Sequence, residues 1–164
     1  MQLNEAKNSI FTPFYLFSAI SVVLYEMLST AFIYLPPLIG VFFSYLILSK
    51  SDAQRSLSGL AGYWYLAFAF LLFAEQLNGF TFLSSVVVFF VFYYIMHDWL
   101  IINVRNQFFM FVMFNFSAYF GMFFISNLFL YIVDSQLLSY SHFLLYYALI
   151  ESIFSFWFFK KVRL

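Results

Sequence analysis

Charge in this chain is confined to a few short breaks, and the stretches between them are apolar on every side. Val86-Val87-Val88-Phe89-Phe90-Val91-Phe92 shows the pattern: neither a helical nor a strand period leaves it a polar face. Membrane-spanning barrel strands alternate apolar and polar residues, which this run does not do. A helix in lipid needs about 20 predominantly apolar residues and no polar side. Composition agrees: charged residues are 9% of the 164 and hydrophobic ones 65%, with 28 Phe. Soluble domains carry about 25% charged residues. So few charges cannot cover a soluble surface, which excludes a cytosolic enzyme, a nucleic-acid binder and a disordered tail. The absence of cysteine removes disulfides, thiolate metal sites and palmitoylation together.

The predicted fold is all-α: a polytopic bundle of six transmembrane helices forming one integral membrane domain over residues 1–164. The helices are placed at about 13–26, 31–48, 57–73, 80–96, 108–133 and 138–159. Pro13 suits a first turn, where its missing N–H costs nothing. Ser49–Ser56 reads as a polar loop, Glu75-Gln76-Leu77-Asn78-Gly79 as a tight turn, and His97-Asp98 as the end of the fourth span. Asn103–Gln107 and Asp134-Ser135-Gln136 bound the fifth. The weakest break lies between the first two spans, where Glu26, Ser29 and Thr30 are placed in a short turn. Lys7 followed by an apolar stretch and Ser29-Thr30-Ala31 loosely fits a cleaved leader. No exported domain follows, so that stretch is expected to remain as a span.

With six spans, all seven basic residues fall on one side: Lys7, Lys50, Arg55, Arg105, Lys160, Lys161 and Arg163. The opposite turns carry Glu26, Glu75 and Asp134. The positive-inside rule then puts both termini in the cytoplasm. The basic tail reads as a topology anchor at anionic headgroups, making membrane lipids expected contacts.

Glu151 is the sharpest oddity. It sits near the middle of the sixth span, about 13 Å from the Lys160 anchor. An ionised side chain at that depth costs about 2.5–3.5 kcal/mol on insertion scales, so it should face the bundle or a partner. A proton or substrate site, a subunit contact and a hydrogen-bonded structural role all remain open. Asn115, Ser117 and Asn127 read as interhelical glue, and Gly59 and Gly62 as permitting close packing. Pro36-Pro37 should kink the second span or start it afresh. His97 and His142 fall on opposite sides and cannot share a metal. No HExxH, Walker loop, GxSxG or spaced carboxylate pair is present. No catalytic residue, metal site or cofactor is therefore expected, and the chain reads as non-enzymatic.

Several features together resemble the MreD family of the bacterial rod-shape system. They are the length, the six-span layout, Leu35-Pro36-Pro37-Leu38-Ile39-Gly40 at the second span, and Glu75-Gln76-Leu77-Asn78-Gly79 closing the third. The basic end Phe158-Phe159-Lys160-Lys161-Val162-Arg163 completes the likeness. Glu75 and Ala69-Phe70 stand where the family usually has Asp and a preceding Gly. The resemblance implies a non-enzymatic scaffold subunit of the peptidoglycan elongation complex, with a bitopic MreC-like partner and wall synthases as associates. It also implies a fold similar to the substrate-binding (S) subunits of energy-coupling-factor transporters. Pro36, Pro37, Glu75, Asn78 and Gly79 match by position and are expected to shape the fold or a partner surface; Glu151 joins them as a candidate. The alternative is a true vitamin-binding S subunit, with Glu75, Asn78 and His142 lining an outward pocket. A membrane enzyme would have to rest on His97-Asp98 and Asp52, which lack the spacing of a known site.

Overall fold

The computed structural model describes residues 13–57, 59–60 and 62–160. Among them the chain is all-helical. Six helices run in order: α1 Pro13–Ala31, α2 Ile39–Ser56, α3 Gly62–Leu77, α4 Ser84–Asn103, α5 Gln107–Ile132 and α6 His142–Phe159. The last three are each long and apolar enough to cross a membrane. Lys7, Lys161 and Arg163 lie outside the described residues.

α2 is the central helix and packs on α3, α5 and α6, while α5 packs on α4 and α6. The reason is visible in its sequence. Ile39, Phe43, Leu46 and Ile47 are fully buried and Ser44 joins them, so the apolar stripe wraps most of the first three turns. Phe43 meets Phe89 and Phe92 edge-on at 6.0 and 5.6 Å, and Phe92 meets Phe114 at 5.6 Å. Such pairs contribute about 0.5–1.5 kcal/mol each beyond area burial. α1 is peripheral. It packs on α3 and leaves Phe17, Ile20, Leu24, Met27 and Leu28 exposed, the surface expected of a helix facing lipid.

The helix limits correct the sequence reading in four places. The second helix begins at Ile39, not at 31, because Pro36-Pro37 stand in a non-helical link ahead of it. The supposed loop Ser49–Ser56 is its last two turns, ending where Leu57 turns left-handed (φ 51°) and its N–H bonds the Ala53 carbonyl. Glu26 lies in no turn: α1 runs on to Ala31, and Glu26 is fully buried. His97-Asp98 does not end the fourth helix, which continues to Asn103 through a π-turn at Phe92–Met96. Polarity misled here because a helix end that leaves the apolar layer keeps its backbone hydrogen bonds and only exchanges apolar side chains for charged ones. Gly59 has open space where a Cβ would stand, so it serves no close packing.

The fifth and sixth helices lie close to their expected limits. The Asn78-Gly79 turn is a helix C-cap: Gly79 takes φ 76°, its N–H bonds Gln76 O, and Phe80 N–H bonds Glu75 O at 3.0 Å. Asp134 (φ 55°) closes α5 in the same way, with Ser135 N–H bonded to Leu130 O at 2.9 Å.

Candidate functional site

The polar residues of the bundle gather around two helix starts that have the same construction. α2 opens at Leu38 (φ 53°, ψ 11°) and α4 at Leu83 (φ 68°, ψ 6°), and neither N-cap side chain can accept a hydrogen bond. A left-handed residue followed by a helical one turns successive N–H groups inward and makes an anion-binding concavity. Left-handed backbone costs a non-glycine residue roughly 1–2 kcal/mol. At both starts a fully buried glutamate fills the concavity.

Glu151, from mid-α6, supplies the carboxylate for α2. Its Oε2 accepts from Gly40 N–H at 2.6 Å and Val41 N–H at 3.2 Å, and its Oε1 accepts from the Tyr119 hydroxyl of α5. A carboxylate at a helix N-terminus meets both orphan donors and the positive end of the dipole. Glu151 lies nine residues into α6, about 13 Å along it. α2 therefore starts well inside the bundle. The link that delivers it, residues 32–38, is non-helical backbone at depth, which is tolerated only where protein satisfies it. Tyr25 donates its hydroxyl to Pro36 O at 2.9 Å, and Tyr147 donates to Ile33 O at 2.5 Å. Pro36 and Pro37 are buried and lack N–H groups that would otherwise need partners there.

Glu75, from the last turn of α3, supplies the carboxylate for α4. Its Oε1 accepts from Leu83 N–H at 2.6 Å, and its Oε2 from Ser85 N–H at 2.8 Å and the Ser84 hydroxyl at 3.4 Å. The Schellman turn at Asn78-Gly79 brings the chain back over Glu75, and Asn78 Nδ2 ties down Ala74 O at 2.8 Å. Glu75, Asn78 and Gly79 thus form one structural unit. Pro36, Pro37 and Glu151 form the other.

Gly40 permits a close approach of α2 to α5 and α6. A Cβ there would stand 1.8 Å from Asn115 Oδ1 and 2.9 Å from Glu151 Oε2. Asn115 donates to Phe111 O at 2.7 Å and lies 3.4 Å and 3.3 Å from the hydroxyls of Ser44 and Ser155, tying α5 to α2 and α6. Gly40→Ala is expected to cost about 1–3 kcal/mol through overpacking. Combining it with Asn115→Ala should cost less than the sum of the two single changes, because the closest clash is then gone and only the 2.9 Å approach to Glu151 Oε2 remains. Thermal unfolding of the four proteins in detergent measures the coupling, and strict additivity would refute the close approach.

Asn127 accepts from Leu138 N–H at 2.7 Å, and Ser126 accepts from Thr81 N–H at 3.1 Å. These two side chains of α5 fix the chain ahead of α6 and the link ahead of α4. Glu26 is held by Ser29, whose hydroxyl lies 2.8 Å from Glu26 O and 3.3 Å from its Oε2, while Oε1 has no partner among the described residues. His142 opens α6, whereas His97 lies near the far end of α4. Among the described residues no group of three or more His, Asp or Glu could hold a metal ion. Two depressions open between the start of α6 and the α3–α4 turn. One, of about 460 Å³, is lined by Ser29, Thr30, Asn78 and Tyr147; the other, of about 200 Å³, by Pro37, Asn78, Tyr119 and Tyr147.

Two participants escape sequence reasoning. Tyr119 is one of 13 tyrosines and carries no local mark. Gly40 was legible as a glycine shortly after Pro36-Pro37, but not as the amide that a distant glutamate caps. Comparison with family models, curated proteins and solved structures finds no match for this chain.

Proposed function

We propose that this chain is a non-enzymatic, MreD-like scaffold subunit of the bacterial inner membrane, with six spans and both termini cytoplasmic. One observation carries this reading. In discontinuous-helix transporters, a helix N-terminus at bundle depth points at the anionic group of the substrate. Here the corresponding position, at the start of α2, is occupied by the protein's own Glu151. The second buried glutamate, Glu75, is likewise committed to a helix start. The acidic chemistry of the interior is used to hold helices together, which suits a rigid body that presents surfaces to partners. The residues behind the family resemblance, Pro36-Pro37 and Glu75 to Gly79, coincide with the two capping devices. The described basic residues Lys50, Arg55, Arg105 and Lys160 lie in or just beyond the C-terminal ends of α2, α4 and α6, as cytoplasmic ends require.

The S-subunit reading has one observation in its favour: Pro37, Asn78, Tyr119 and Tyr147 line the depression on the side opposite the basic residues. At about 200 Å³ it is smaller than the roughly 300–1,000 Å³ typical of ligand clefts, whereas the adjoining depression of about 460 Å³, which shares Asn78 and Tyr147, falls within that range. Purification in mild detergent from the cells that make the protein separates the two readings. Co-purification of a single-span coiled-coil protein with wall synthases is expected. Recovery of a paired ATPase with a bound vitamin would overturn the scaffold reading.

A further inference from the structure

The basic end of the bundle contains a cavity that neither capping device uses. It has a volume of about 410 Å³, and Ser51, Gln54 and Arg55 of α2 face His97, Asp98 and Ile102 of α4 across it. We infer that this cavity is a headgroup site for a phospholipid bearing a primary ammonium, phosphatidylethanolamine being the simplest. The inference rests on the membrane reading alone and not on the scaffold role.

The argument begins with the charges. Lys50 is already satisfied: its ammonium lies 4.1 Å from the Tyr93 ring centroid and 4.9 Å from that of Tyr94. Arg55 makes no ion pair among the described residues. Asp98 has a side chain 87% exposed and bonds only the neighbouring ring, with His97 Nδ1 at 2.9 Å from its Oδ1. Arg55 and Asp98 therefore line one cavity with opposite charges and do not pair with each other. A purely anionic group would be attracted at one wall and repelled at the other. A zwitterion with a phosphate and an ammonium a few bonds apart complements both walls.

The neighbouring polar groups fit the same assignment. Tyr93 donates its hydroxyl to Gln54 Oε1, which leaves the Gln54 amide N–H groups for a phosphate oxygen beside Arg55. His97 is buried and stacked on Tyr93 at 4.6 Å, and its Nε2 has no partner among the described residues. A buried nitrogen left in that state calls for a ligand or water. The exposed Asp98 carboxylate is the acceptor that an ammonium N–H can reach. Quaternary choline has no such donor, and phosphatidylglycerol has no cation. Tyr93 and His97, four residues apart, stack on one face of α4 where it passes through the π-turn at Phe92–Met96, and π-turns recur at functional sites. The rim is suited to a lipid: Ile102 is 78% exposed, and Trp99 beside it is of the type that populates membrane–water interfaces.

Native mass spectrometry of the full-length protein in detergent tests the site. The probes are phosphatidylethanolamine, phosphatidylcholine and phosphatidylglycerol with identical acyl chains. Phosphatidylethanolamine should be retained about fivefold more than either of the others. Asp98→Asn should bring it level with phosphatidylcholine, and Arg55→Gln should weaken retention of all three. Both side chains lie at the solvent-facing end of the bundle, and unchanged thermal unfolding of each variant serves as the folding control. Equal retention of the three lipids, preference for phosphatidylglycerol, or an Asp98→Asn protein that keeps its preference would each overturn the proposal. Displacement of the lipid by millimolar free phosphoethanolamine would overturn the lipid assignment in favour of a soluble phosphoammonium ligand.

Discussion

Glu151→Leu should abolish most of the folded yield, although leucine is far better suited to lipid than glutamate. The substitution leaves Gly40 N–H, Val41 N–H and the Tyr119 hydroxyl without their acceptor in a water-poor interior. Each orphaned donor costs about 1–3 kcal/mol, and the total stability of a domain is only about 5–15 kcal/mol. Glu151→Gln should be far milder. One oxygen, Oε2, accepts both amides, so the glutamine carbonyl can take its place. The glutamine amide NH2 then faces Tyr119, whose hydroxyl can accept as readily as it donates. Folded yield and thermal unfolding in detergent measure both variants. A well-folded Glu151→Leu protein would show that the carboxylate is not needed to start α2. Normal folding combined with loss of associated proteins would instead assign Glu151 to a partner contact.

Glu75 should show the opposite sensitivity to the conservative change. Glu75→Leu strips the caps from Leu83 and Ser85 and is expected to be as damaging as Glu151→Leu. Glu75→Gln should also be severe. Here the two amides fall on different oxygens, so a glutamine has to turn its NH2 group toward one backbone N–H. Donor then meets donor in a buried site, and at least one cap is lost. The Gln variants of the two glutamates are thus expected to differ by about 1–3 kcal/mol, the cost of one unmet buried donor. Equal unfolding temperatures for Glu75→Gln and Glu151→Gln would contradict the described division of hydrogen bonds.

Much of the architecture was legible before any coordinates. Unbroken apolar runs with period-free hydrophobicity point to membrane-type helices, and α4, α5 and α6 are each long and apolar enough to cross a membrane. Asn78-Gly79 was legible as a turn because positive φ is a local property of glycine. Pro36-Pro37 was legible as an interruption because proline lacks a donor whatever surrounds it. The limits of α2 were not legible. Its last two turns carry Lys50, Asp52 and Arg55, and a polar helix end in water differs from a loop only in backbone geometry. Glu26 was misplaced for a related reason: a glutamate within an apolar segment marks a helix end only if it is solvated, and solvation is set by neighbouring helices.

Local chemistry along the chain, then, determined the helical class, the membrane-like apolarity and the breaks at proline and glycine. Only the tertiary structure decided what the two glutamates do. Glu151 is separated from Gly40 by 111 positions, and its partners come within reach only once α6, α5 and the start of α2 have met. The sequence marks Glu151 as costly to bury. What offsets that cost is a set of donors brought together from two distant segments, the start of α2 and the middle of α5, and no property of the residues beside Glu151 reports that assembly.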